Sequence, residues 1–113
     1  MVCGRGPEMK HSEPEVLEAL DLAWDPEAGV LGKMRAGDYD AALADGYLEL
    51  LDRIEIGEGE PLHPDFVKLL WFAPLFCEWQ IERCAESGGG LDREVSSFSN
   101  RVCDRVMELL GVP

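Results

Sequence analysis

Apolar residues recur at helical spacing along most of this chain. Val16, Leu17, Leu20, Ala23 and Trp24 predict an amphipathic helix over residues 13–24. Ser12-Glu13-Pro14-Glu15 fits a capping box at its start, with Pro early in the first turn. Asp25-Pro26 opens a second, short element, with Asp as cap and Pro at the first helical position. Gly29 and Gly32 weaken this element, each by up to about 1 kcal/mol in a helix interior, and Gly37 ends it. The third helix has Asp38 as its cap and runs to about Ile56. Tyr39, Leu43, Tyr47, Leu50 and Ile54 share one of its faces. An acidic loop follows from Gly57 to Pro64. The fourth helix runs from Pro64 to Glu86, with a kink expected at Pro74, and Gly88-Gly89-Gly90 stops it. Asp92 caps the fifth, which runs to Leu110 and turns Val95, Phe98, Val102, Val106 and Leu109 to the core. No segment shows a convincing strand period, although Arg53 to Ile56 alternates briefly. The expectation is an all-α fold, an irregular antiparallel bundle of four main helices plus one short helix. It forms a single helical domain over 12–113 behind a flexible N-terminal lead-in over 1–11, within which Met9 is an alternative start.

Arg35-Ala36-Gly37-Asp38-Tyr39-Asp40-Ala41-Ala42-Leu43 resembles the turn and second helix of a tetratricopeptide repeat. The resemblance covers about half of one repeat, and no second copy follows, whereas stable arrays need about three. It implies a tight antiparallel helix pair at Gly37 and no peptide-binding array.

Charge changes the picture more than composition does. The chain of 113 residues carries a net charge of -13. Glu8 to Asp65 holds 16 acids and 4 bases, and Phe66 to Pro113 holds 7 acids and 5 bases. The first half therefore carries the negative field, which repels nucleic acid and anionic membrane and draws basic proteins in. The alternative reading of this charge is solubility alone.

Two features rise above the helical pattern. On a wheel of 100° per residue, Asp38, Asp45, Glu49 and Asp52 cluster within about 60° of arc, opposite the apolar face of the third helix. Only Arg53 is basic nearby, and the following loop adds Glu55, Glu58 and Glu60. This stripe is either a docking surface for a basic partner or a solvated face. On the fourth helix the apolar face, which includes Phe66, Phe72, Phe76 and Trp79, already spans about 200°. Trp71 and Leu75 fall outside it, among Lys68, Glu78, Glu82 and Glu86, and are candidates for an interface or for burial in a central helix. The partner-binding candidates are thus Asp38, Asp45, Glu49, Asp52, Glu55, Glu58, Trp71 and Leu75.

Catalytic chemistry finds no foothold. His11 and His63 stand near prolines in a terminus or loop, and His63 reads as a cap or surface residue. Cys3, Cys77, Cys84 and Cys103 form neither a C-x-x-C pair nor zinc-finger spacing, and the last three read as reduced core residues. No Glu-x-x-His pair provides a di-iron site, and no cofactor or metal is expected. No secretory signal is visible, and the most apolar stretch, Phe66 to Trp79, is too short to cross a bilayer. A cytoplasmic location is expected. Arg outnumbers Lys and Thr is absent, which points to a GC-rich bacterial gene. The functional expectation is a non-enzymatic, protein-binding inhibitor of the immunity or antitoxin type. It would occlude a basic protein partner, such as a toxin acting on nucleic acid, and would itself bind neither nucleic acid nor membrane. The alternative is a helical adaptor or self-associating subunit, and monomer and homodimer both stay open.

Overall fold

The structure, a computed structural model, describes residues 8–86 and 92–112 of the chain, without the side chains of residues 84–86 and 92. Its elements in chain order are β1 (Met9–Lys10), α1 (Pro14–Leu22), α2 (Val30–Arg35), α3 (Ala41–Arg53), β2 (Ile54–Glu55), α4 (Pro64–Leu70), α5 (Ala73–Glu86) and α6 (Asp92–Leu110). The fold is an all-α bundle. α5 packs most extensively on α6, α2 on α5, α1 on α4, and α3 on α6. One core joins all six helices. Leu20, Leu31, Met34, Leu51, Phe66 and Leu70 are its largest apolar members with almost no exposure.

The first helix starts later and differently than its sequence suggests. Glu13, not Ser12, is the N-cap of α1, and no side chain caps it. The Glu13 carboxylate instead accepts from the Lys10 backbone N–H at 2.6 Å. Asp25 does not cap a helix either. Its Oδ2 accepts from the amides of Glu27 and Ala28 at 3.0 and 2.8 Å, and the resulting turn ends α1's exit before α2 begins. Gly29 and Gly32 carry a role that propensity alone hides. A Cβ at Gly29 would collide with the carbonyls of Leu22 and Ala23, and one at Gly32 with those of Trp24 and Asp25. The close approach lets the Leu31 and Gly32 amides donate to the Ala23 carbonyl at 2.9 and 3.2 Å, so α2's first turn caps α1's end.

At Gly37 (φ 85) the chain makes a Schellman closure: Gly37 N–H donates to Met34 O at 2.9 Å and Asp38 N–H to Lys33 O at 3.0 Å. Asp38 therefore belongs to the turn. Asp40 is the true cap of α3, its Oδ1 accepting from Leu43 N–H at 3.1 Å. That hydrogen bond, with help from Lys33, holds the Asp40 carboxyl below its usual range, against a smaller opposing effect of burial. The deepest face of α3 is Ala44, Tyr47, Leu48 and Leu51, rotated from the expected line, while Leu43 and Leu50 are half-buried.

Two further expectations are corrected. α3 ends at Arg53, and Ile54–Glu55 pair in parallel with Met9–Lys10. Residues 9–11 are thus part of the fold and not of a loose lead-in; residues 1–7 lie outside the described residues. His11 follows with 1% exposure. Its Nε2 accepts from His63 N–H at 2.9 Å and its ring meets Phe66 edge-on at 4.9 Å. A ladder two residues long leaves no period to detect. The fourth helix, expected to run from Pro64 to Glu86 with a kink at Pro74, is two helices separated by Trp71-Phe72. Pro74 explains the break: its ring excludes the carbonyl of Leu70, but it fits the first turn of a restarted helix, where no amide is required. The helical partner of the Leu69 carbonyl would have been Ala73, and that carbonyl accepts instead from the Trp24 indole Nε1 at 3.1 Å. α6 matches its expected span, and Gly111 (φ 86) closes it. The expected stop at Gly88-Gly89-Gly90 and the Asp92 side chain lie outside the described residues.

Candidate interaction surface

The acidic stripe and the tryptophan pair, read from single helices, meet different surroundings once the helices pack. α3 lies against α6, which brings arginines to the stripe. Arg105 Nε donates to Asp52 Oδ1 at 2.9 Å, with both side chains about one-third exposed at 30% and 31%. Asp45 shares a shallow groove with Tyr39, Arg93 and Arg101. Partial burial raises the Tyr39 phenol's pKa, the Asp45 and Glu94 charges add to this, and Arg101 opposes it. Asp38 and Asp40 both reach Lys33 Nζ, at 3.7 and 3.4 Å. Glu49, Glu55 and Glu58 are exposed, the second on β2 and the third in the loop. Glu60 turns inward: Oε1 accepts from Gly57 N–H at 2.7 Å, and Oε2 lies 3.7 Å from His11 Nδ1. The tertiary structure therefore divides the stripe. Asp38, Asp45 and Asp52 stand beside cations, and Glu49, Glu55 and Glu58 face solvent.

Trp71 and Leu75 meet the opposite fate. They are 56% and 41% exposed, and Trp79, expected on the buried face, is 59% exposed. Trp71 ends α4, Leu75 and Trp79 lie one turn apart on α5, and together they form an outward apolar row. Phe72, half-buried, binds the row together: its ring lies 5.5 Å from Trp71 and 5.5 Å from Trp79, and 6.1 Å from Phe76. Trp24 stacks on Phe72 at 6.1 Å and meets Phe76 edge-on at 5.0 Å. The Arg35 guanidinium sits over Phe76 at 5.3 Å from the ring centre. These are the separations at which aromatic rings attract beyond their area burial. The result is a surface of aromatic rings resting on a packed aromatic layer, whose edge is anchored by the Trp24–Leu69 hydrogen bond.

Sequence reasoning found Trp71 and Leu75 and missed Trp79, Trp24, Phe72 and Arg35. The available signal for Trp79 was its place at the edge of the apolar arc, about 40° from Leu75 at i, i+4 spacing.

Carboxylates are exposed near the aromatic layer. A groove between α1 and α4 is lined by Leu17, Glu18, Asp21, Asp65, Lys68 and Leu69. Leu69 joins this groove to the aromatic layer through its carbonyl and Trp24. Glu78 and Glu82 are exposed on α5 itself.

His63 caps α4 as expected, its Nδ1 accepting from Asp65 N–H at 3.0 Å. Cys77 is buried, whereas Cys103, expected in the core, is half-buried. Cys3 and the Cys84 side chain lie outside the described residues. Among the described residues no group of three His, Cys, Asp or Glu side chains could hold a metal ion, and no helix is long and apolar enough to cross a membrane. No family model, curated protein or solved structure matches the chain.

Proposed function

We propose that this protein is a protein-binding module without chemistry of its own, an inhibitor of the immunity or antitoxin type that occludes a basic partner. The observation that carries this reading is the outward row of Trp71, Leu75 and Trp79, two of them tryptophans more than half exposed. Contiguous apolar surface of this kind marks interaction sites, and tryptophan is the residue most enriched at binding hot spots. The row rests on interlocked rings, so little ordering is needed on binding, and a preorganised surface loses less free energy in the association.

The net charge of -13 supports a basic partner. Two copies of so acidic a chain repel one another, which weighs against a sister chain as the cover. The field speeds encounter and the aromatic row sets the lifetime of the complex. The acidic residues that remain open for steering are chiefly Glu49, Glu55 and Glu58.

The test is capture from the native host with wild-type protein and with Trp71→Ser/Trp79→Ser, followed by assay of the captured partner's own activity. The reading expects a basic protein retained by the wild type, lost by the double variant, and inhibited by stoichiometric wild type. Equal capture by both proteins would remove the aromatic row from the mechanism. A wild type that runs as a dimer while the double variant runs as a monomer would favour the self-associating alternative.

A further inference from the structure

We propose that the occupant of the aromatic row is a basic amphipathic helix of the partner, lying along α5 with its cations reaching the nearby carboxylates. This rests on the reading that the face binds a protein, and it specifies what part of that protein docks. The row has the dimensions of a helix seam. Leu75 and Trp79 are four residues apart on α5, about 6 Å along its axis at 1.5 Å per residue, and Trp71 at the end of α4 adjoins them through Phe72. A ridge of side chains at this spacing on one helix is matched by apolar positions three and four apart on a second helix laid across it. An extended strand would need a sheet edge beside the row, and the only ladder among the described residues is the two-residue pairing of β1 with β2.

Charge supplies the sign. Glu18, Asp21 and Asp65 lie in the α1–α4 groove, which Leu69 links to the aromatic layer through Trp24, and Glu78 and Glu82 are exposed on α5 together with Arg83. Lys68 is the one base in that groove. An apolar row with carboxylates near it complements a helix with an apolar stripe and lysines or arginines beside it. The Arg35 guanidinium over Phe76 shows that this aromatic layer already accommodates a cation at a ring face. A second copy of the chain would bring carboxylates against carboxylates at the same contact, so the foreign helix is the better occupant.

The experiment uses the full chain and three fluorescein-labelled synthetic peptides of equal length, with binding read by anisotropy at low salt. The first is an amphipathic Lys/Leu helix, the second has the same composition in an order that scatters its leucines, and the third replaces Lys by Glu. The expected result is binding of the first at least tenfold tighter than the second, and no binding of the third. Trp79→Ser and Leu75→Ser should each weaken the first peptide about tenfold or more, Asp21→Lys/Asp65→Lys should weaken it severalfold, and Asp45→Lys/Glu49→Lys on α3, which changes the net charge equally, should weaken it less. Circular dichroism checks that each variant stays folded. Because Leu75 and Trp79 are both exposed, at least one of these variants keeps the test valid. Equal binding of the ordered and scattered peptides, or indifference to both Trp79→Ser and Leu75→Ser, overturns the proposal. A host partner captured in a Trp71- and Trp79-dependent way, combined with failure of the amphipathic peptide, would sink the helical occupant and leave the protein-binding reading standing.

Discussion

The outer face of α3 and the outer face of α5 look alike as sequence: each is a stripe of residues at odds with a solvated helix, one in charge and one in hydrophobicity. In the folded chain they diverge. α3 packs beside α6, where Arg105 pairs with Asp52 and Arg93 and Arg101 share a groove with Asp45. α5 packs its inner side on α2 and α6 and leaves Trp71, Leu75 and Trp79 uncovered. A charge on a helix surface can be answered by a long side chain from a neighbouring helix, reaching across a wet gap. A tryptophan ring can be answered only by direct contact. An uncovered aromatic row is therefore stronger evidence of a missing partner than an acidic stripe is.

This contrast is open to attack on several fronts, and the largest effect lies beneath the aromatic face. Gly32→Ala forces a Cβ into the carbonyls of Trp24 and Asp25 and should cost about 2–3 kcal/mol in chemical denaturation, as overpacking does. Gly46→Ala on α3, where a Cβ meets nothing, should be neutral or stabilising. If Gly32→Ala proves as mild as Gly46→Ala, the α1–α2 joint does not support the aromatic layer.

Next in size, Trp71→Ser/Trp79→Ser should weaken partner binding by over about 2 kcal/mol, roughly thirtyfold. Asp45→Lys/Glu49→Lys/Asp52→Lys should slow association severalfold at low salt and barely alter dissociation. Stopped-flow and surface-binding kinetics separate the two. A triple variant that dissociates faster by more than the tryptophan variant would reverse the ranking of the faces.

A smaller effect should come from the pair that neutralises the stripe. Asp52→Asn or Arg105→Gln should each lower stability by no more than ~1 kcal/mol, since the pair is partly solvated, and added salt should shrink the difference. A loss of several kcal/mol would mean that the α3–α6 contact depends on charge far more than on its buried residues.

The smallest expected effect is on the pH dependence of α3's start. The Asp40 carboxyl's pKa is lowered in the folded chain, chiefly by the Leu43 amide. Its stabilising contribution is therefore complete above the pKa of an unfolded aspartate and disappears as pH falls through the lower, folded value. Asp40→Ala should flatten thermal stability across that acidic window and lower it at neutral pH, whereas Asp38→Ala should leave the slope intact. Identical profiles for the two variants would return the cap to Asp38. Thiol labelling gives a check of the packing itself: Cys103 should react in the native state faster than Cys77, which is fully buried.

Helix content, the core face of α6 and the end of α2 at Gly37 were legible because each depends on residues within a few positions of one another. Val95, Phe98, Val102 and Val106 are buried as their spacing requires. That Trp71 and Leu75 fall outside the apolar arc was legible for the same reason, as a local imbalance on one wheel, whereas their exposure was decided by the packing. Where the reading failed, the deciding contact was distant. Met9 and Lys10 pair with residues 45 positions away, too short a ladder to impose a period. His11 is buried by His63 and Phe66, and nothing near it in the chain signals that.

What the sequence by itself determined is the all-α class, the strong negative charge and the position of Trp71 and Leu75 outside the apolar arc of their helix. The helical period and the count of ionisable groups carry that information without reference to distance. Only the tertiary structure decided which acids stand beside arginines, that Trp79 joins the row, and why Gly29 and Gly32 must be glycine. Each of these depends on where a second element lies. The energies involved are those of contact and short-range Coulomb attraction, which vanish beyond a few ångströms and leave no trace in the spacing of residues along one helix.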